Sequence, residues 1–193
     1  MAKKFKIDPK AIARFDEICS RGLCGSLTQN QGNGKPPLFC VEAAIFKALN
    51  PDVGDDEVSD FNSYVHPYVS EFKIALNDSA WSSPKARAKG LHDLGIAQLG
   101  TAGKKEFDNF RNRVAIKLLR LKNPKLSCEA FASFALEKSN DDNLNPCAII
   151  AYRGDKNLNL IAKAAYEVLK ELKAPGAVWL DKRKARFRRL SRR

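Results

Sequence analysis

Apolar residues recur along this chain at intervals of three and four, in segments punctuated by proline, glycine and asparagine. That spacing places them on one side of a helix and predicts a series of amphipathic helices. Asp8 and Pro9 read as a capping side chain followed by a first-turn proline, with Ile12, Phe15 and Cys19 as the inward stripe. Val41, Ala44, Ile45, Ala48 and Leu49 form the next stripe, closed by Asn50 and Pro51. Pro67 interrupts a third apolar pattern over residues 61–78, which predicts a break or restart there. Ser83 and Pro84 open a fourth helix and Gly100 stops it. Phe107, Phe110, Val114, Leu118 and Leu121 make the longest clean stripe, ended by Asn123 and Pro124.

Further helices are predicted near residues 127–138, 146–153 and 157–173, after which residues 174–176 break the chain. Period-two alternation is scarce; only "CAIIAYR" and "GAVWL" are ambiguous. Residues 24–37, with three glycines and two prolines, read as a long surface loop. The fold class is therefore all-α: a compact multi-helix globular domain over residues 1–176, with a basic extension over 177–193. At an offset of 87 residues, Lys35, Pro37, Glu42, Ala43, Ala48 and Leu49 match Lys122, Pro124, Glu129, Ala130, Ala135 and Leu136. Two related helical halves and chance recurrence of common helix residues both account for this match.

Charge changes the picture most. The 193 residues carry a formal charge of +12, and the segment 181–193 holds eight basic residues against one acidic, leaving +5 elsewhere. A solvated helix face ordinarily mixes signs, so this run repels itself unless a polyanion neutralises it. Its basic residues are Lys182, Arg183, Lys184, Arg186, Arg188, Arg189, Arg192 and Arg193. Phe187 and Leu190 align with Leu180 and Arg183 at helical spacing, so the segment is expected to form a basic amphipathic helix. Eight neutralised phosphates would give a log–log salt slope of about −7 on duplex DNA. Nucleic acid, RNA or DNA, is the leading expected partner. An acidic protein is an alternative, and an anionic membrane surface has few apolar residues to work with. A second basic group, Lys85, Arg87 and Lys89, follows Trp81. Such a tryptophan either stacks on a base beside phosphate-binding cations or staples two helices through its ring and indole N–H.

Catalytic chemistry finds less to build on. Cys40 opens a helix, where the helix dipole favours a thiolate, and a hydrolase could use it with His66 as base. Gln29 or Gln31 would supply an oxyanion donor and Asn77 or Asp78 would orient the base. Against this, Cys40 beside Val41 and Ala44 also reads as a small packed hydrophobe, and Glu42 opposes thiolate formation. Five cysteines at irregular spacing suggest free thiols in a reducing space, without a zinc pattern. In "GNGKPP", Gly34 and Lys35 are followed by proline, so the loop is not a phosphate-binding P-loop. The acidic run Asp52, Asp55, Asp56, Glu57 and Asp60 lacks the ligand spacing of a calcium loop. No cofactor is expected. No apolar run has the length of a membrane span, and the basic start lacks a signal sequence's hydrophobic segment, so a cytoplasmic location is expected.

The stretches "FCVEAAIFKALN", "FKIALNDSAWSSPKARAKGLHDLGIAQLG" and "LIAKAAYEVLKELKAPGAVWL" resemble a group of uncharacterised helical proteins of phage and bacterial genomes. In that group a Cys-(Val/Ile)-Glu-Ala-Ala helix start precedes a Leu-Asn-Asp-x-x-Trp-Ser-Ser turn. The likeness covers about half of the chain and implies a bacterial or virion setting; it carries no activity or functional residue. A phage structural or interaction protein, with or without self-assembly, is thus a further expectation.

Overall fold

The computed structural model describes residues 5–122 and 154–191, the side chains of 119–122 excepted. The described residues hold seven α-helices, a short 3-10 helix (Lys105–Phe107) and one two-stranded sheet, so the protein is mostly helical. The helices are α1 (Pro9–Arg21), α2 (Val41–Leu49), α3 (Pro67–Asn77), α4 (Pro84–Ala97), α5 (Phe110–Lys122), α6 (Asp155–Glu171) and α7 (Pro175–Leu190).

The punctuation seen in the sequence acts locally as expected. Asp8 caps α1 by accepting from the Lys10 N–H, and Ser83 caps α4 by accepting from the Ala86 N–H. Each satisfies an N–H that has no partner within its helix. Pro67 opens α3 at its first turn, where a missing N–H costs nothing. Gly100, at φ +79°, takes the left-handed turn beyond α4, a conformation that disfavours a side chain.

The long loop is partly ordered by pairing. Strands β1 (Thr28–Gln29) and β2 (Leu38–Phe39) form an antiparallel ladder, Thr28 opposite Phe39. This differs from the expected irregular loop because Leu38 and Phe39 are buried and their backbone needs partners.

Helix α4 is the hub, packed against α1, α2, α3, α6 and α7; α5 packs on α3 and α6. The core draws Phe15 from α1, Ile45 from α2, Phe72 from α3, Leu91 and Leu94 from α4, and Phe110 from α5. Trp81 lies in the turn before α4 with its ring across Gly90, where any β-carbon would overlap the indole.

Residues 174–176 do not detach the final segment. Pro175 starts α7, whose first two turns bury Gly176, Ala177 and Leu180 against α4. At Gly176 the two backbones meet: a β-carbon there would collide with the Ile96 carbonyl oxygen. The basic segment is thus the continuation of a docked helix, and its apolar stripe runs from buried Leu180 to exposed Phe187 and Leu190. The expected helices at 127–138 and 146–153, Cys128, Cys147, the second copy of the internal match beyond Lys122, and Arg192 and Arg193 lie outside the described residues.

Candidate functional site

The cations of α7 divide into two sets according to how the helix is turned. Residues facing the body are neutralised: Arg183 Nη2 pairs with Asp16 Oδ2 at 2.6 Å, and Lys184 Nζ pairs with Asp93 Oδ2. Between these two carboxylates sits His92, with Nε2 2.7 Å from Asp16 and Nδ1 3.2 Å from Asp93. Its ring stacks on Phe15 at 5.6 Å. Burial alone would lower the His92 pKa, but bonds to Asp93 and Asp16 outweigh it and raise it above the usual imidazole value. The same contacts, His92 first and Lys184 next, hold Asp93 down at about 2 despite partial burial. The result is a charged latch tying α7 to α1 and α4.

Residues facing away are different. Lys182, Arg186 and Arg189 are exposed and have no acidic partner among the described residues, and the same holds for Arg188, which lies one turn beyond Lys184 on that residue's side of the helix. Lys182, Arg186 and Arg189 follow one another at four and three positions. On a helix of about 3.6 residues per turn this places them on one side, opposite Ala177, Leu180 and Lys184. At a rise of 1.5 Å per residue they span about 10 Å.

The second basic group does not join this surface. The Arg87 guanidinium donates from Nε to Asn77 O at 2.8 Å and from Nη1 to Leu23 O at 3.1 Å. It ties the α3–α4 turn to the end of α1, and the Lys85 ammonium donates to Ser20 O. Trp81 is 8% exposed and its indole N–H donates to Leu76 O at 2.9 Å, so the ring staples helices and offers no face to a base. Of the group, only Lys89 is exposed without a partner among the described residues.

Cys40 lies at a small cleft of about 100 Å³, bordered by Gly25, Ser26, Leu27, Asp60, Asn77 and Asp78. It is the N-cap of α2: its sulfur accepts from Ala43 N–H at 3.2 Å, while the thiol donates to Asp60 Oδ1 at 2.9 Å. Asn77 completes the junction, its Oδ1 accepting from Val41 N–H and its Nδ2 donating to Cys24 O, both at 3.1 Å. Burial pushes the Cys40 thiol far up; the Ala43 N–H opposes this, and the charge of Asp60 adds to it. The helix dipole therefore does not produce a thiolate.

Nor does the fold bring His66 to it. Asn77 ends α3 at the cleft, and His66 precedes that helix's first residue, about 16 Å away along eleven residues. There His66 Nε2 meets Asp108 Oδ1 at 3.1 Å, and its ring lies against Tyr68 and Phe107. Gln31 donates to Pro36 O, and Gln29 is exposed on β1. The pairing of Cys40 with His66 has no geometric basis, because α2 and α3 run past each other with these residues at opposite ends.

Beneath the cleft, Lys73 Nζ and Glu42 Oε1 are 2.6 Å apart and both side chains are fully buried. Gln98 Nε2 donates to the other Glu42 oxygen at 3.2 Å. Burial raises Glu42 and lowers Lys73, while their attraction opposes both shifts. With both side chains fully buried, this is a structural pair. Lys73 had a sequence signal: it stands four residues after buried Val69 and four before buried Asn77, a lysine on a core stripe. Asp60, Asp16 and Asp93 had none, since Cys40, Arg183 and Lys184 reach them from distant helices.

Among the described residues, no group of three or more His, Cys, Asp or Glu converges as a metal site, and no helix is long and apolar enough to cross a membrane. No protein-family model, curated protein or solved structure matches the chain.

Proposed function

We propose that this protein binds nucleic acid through the exposed cations of α7, with phosphates held by Lys182, Arg186 and Arg189 on the outward side and by Arg188 round the helix. The observation that carries this reading is the partition of charge on one helix. Arg183 and Lys184 are matched by Asp16 and Asp93, whereas Lys182, Arg186, Arg188 and Arg189 meet no acid among the described residues. An unneutralised row of guanidinium and ammonium groups on a rigid, docked helix favours a polyanion, by Coulomb attraction and by counterion release. The partition also revises the expected strength. Arg183 and Lys184 are already paired, so the four exposed cations with Arg192 and Arg193 give a slope of about −5 instead of −7.

The test is a salt titration of labelled RNA and DNA binding with the full chain and with the K182E/R186E/R189E variant. Truncation after residue 180 is a poorer choice, because it would also remove the latch to Asp16 and Asp93. Wild-type binding is expected to weaken steeply with salt, and the triple variant to lose about 3 units of slope. Equal binding by both proteins would refute the reading.

A further inference from the structure

About a quarter-turn round the helix from the cation row, α7 carries a ladder of flat groups. Trp179, Arg183 and Phe187 are spaced four residues apart, so they stack along one side of the helix. The Arg183 guanidinium lies 5.5 Å from the Trp179 ring centre and 5.8 Å from that of Phe187. Arg183 is itself held by Asp16, so the cation between the two rings is fixed in place before any ligand arrives. The ladder ends in the open. Phe187 is 60% exposed and Leu190, one turn on, is 59% exposed. Packing among the described residues does not account for two large apolar side chains left in water in the middle of a cationic stretch.

Duplex and single strand present different chemistry to such a surface. A duplex offers phosphates along its outside but keeps the faces of its bases stacked within. A single strand offers both phosphates and base faces. An aromatic ring backed by a guanidinium and bordered by phosphate-binding cations is suited to the second. We infer that the ligand of α7 is single-stranded nucleic acid, with a base stacked on the open face of Phe187, phosphates held by Arg186 and Arg188 on either side of it, and the strand continuing round the helix to Lys182 and Arg189. The inference rests on the phosphate-binding reading above and specifies its ligand class. Stacking on a ring is tolerant of base identity, so little sequence preference is expected.

The full chain is titrated with labelled 20-nucleotide oligo(dT) and oligo(U), and with blunt 20-base-pair DNA and RNA duplexes, over a salt series. The proteins compared are wild type, Phe187→Ala, Phe187→Tyr and K182E/R186E/R189E. Wild type should prefer the single strands. F187A should weaken single-strand binding by roughly tenfold, leave the salt slope and duplex binding within about twofold, and be rescued by F187Y. Duplex binding as tight as single-strand binding, or an F187A variant equal to wild type on single strands, would overturn the stacking inference. Provided the triple variant still lost affinity, the phosphate-binding reading would stand. Absence of binding to any of the four probes would overturn both.

Discussion

The Cys40 cleft and the outer side of α7 are both rich in polar groups, yet they differ in whether those groups are already matched. At the cleft, Cys40 meets Asp60, Asn77 meets two backbone groups, and Glu42 meets Lys73 with both fully buried. On α7, Lys182, Arg186, Arg188 and Arg189 stand in solvent without an acid among the described residues. A matched, desolvated group holds structure together because removing its partner strands it in a low dielectric. An unmatched, solvated group costs the fold little and remains free to meet a ligand. The comparison explains why the cysteine at a helix start is the weaker functional signal and the basic helix the stronger one.

The comparison breaks first at the buried pair. Lys73→Ala should destabilise the protein by about 3–5 kcal/mol, since Glu42 would be left buried and alone. Replacing both residues with Met should recover most of that loss, as read from urea denaturation. A Lys73→Ala variant as stable as wild type would show that the pair is hydrated and that the cleft is open beneath.

The thiol gives the next largest contrast. With its pKa pushed up by burial and by Asp60, Cys40 should react with a thiol reagent at pH 7.5 far more slowly than a free cysteine. Comparison of wild type with Cys40→Ser isolates its contribution, and serine preserves the cap. Rapid labelling of Cys40 in the folded protein would restore it as a candidate nucleophile.

Smaller effects belong to the latch. Because the His92 pKa is raised, its contribution is fully present below about pH 6.5 and is lost as pH rises through the folded value. Asp93, held down at about 2, contributes above about pH 4 and loses that contribution as pH falls toward 2. Thermal melts from pH 6 to 8.5 should therefore show wild type losing more stability than His92→Gln, by about 1 kcal/mol or less. The smallest change is expected at the outer cations: in K182E/R186E/R189E each reversal should alter folding stability by no more than about 0.5 kcal/mol. Loss of nucleic-acid binding without loss of stability would sharpen the contrast between the two regions.

Local features were legible from residues close in sequence. Asp8 and Ser83 as caps, Pro67 as a helix start and the stripe through Phe107, Phe110 and Val114 all follow from capping chemistry and helical period. So did the concentration of positive charge near the end of the chain. What could not be read was which of those charges stay free. Arg183 and Arg186 are three residues apart and chemically identical, but only Arg183 is turned toward Asp16, 167 residues earlier. Trp81 looks in sequence like a stacking platform among lysines; contact across Gly90 and a bond to Leu76 O make it a staple. Helix content, capping and charge density depend on short-range sterics and composition, which the sequence alone determines. The pairing of Cys40 with Asp60, the enclosure of Lys73 with Glu42, and the division of α7 into a bound side and a free side depend on how the helices pack. Only the tertiary structure decides them, because desolvation and Coulomb energy act through distances in space and take no account of separation along the chain.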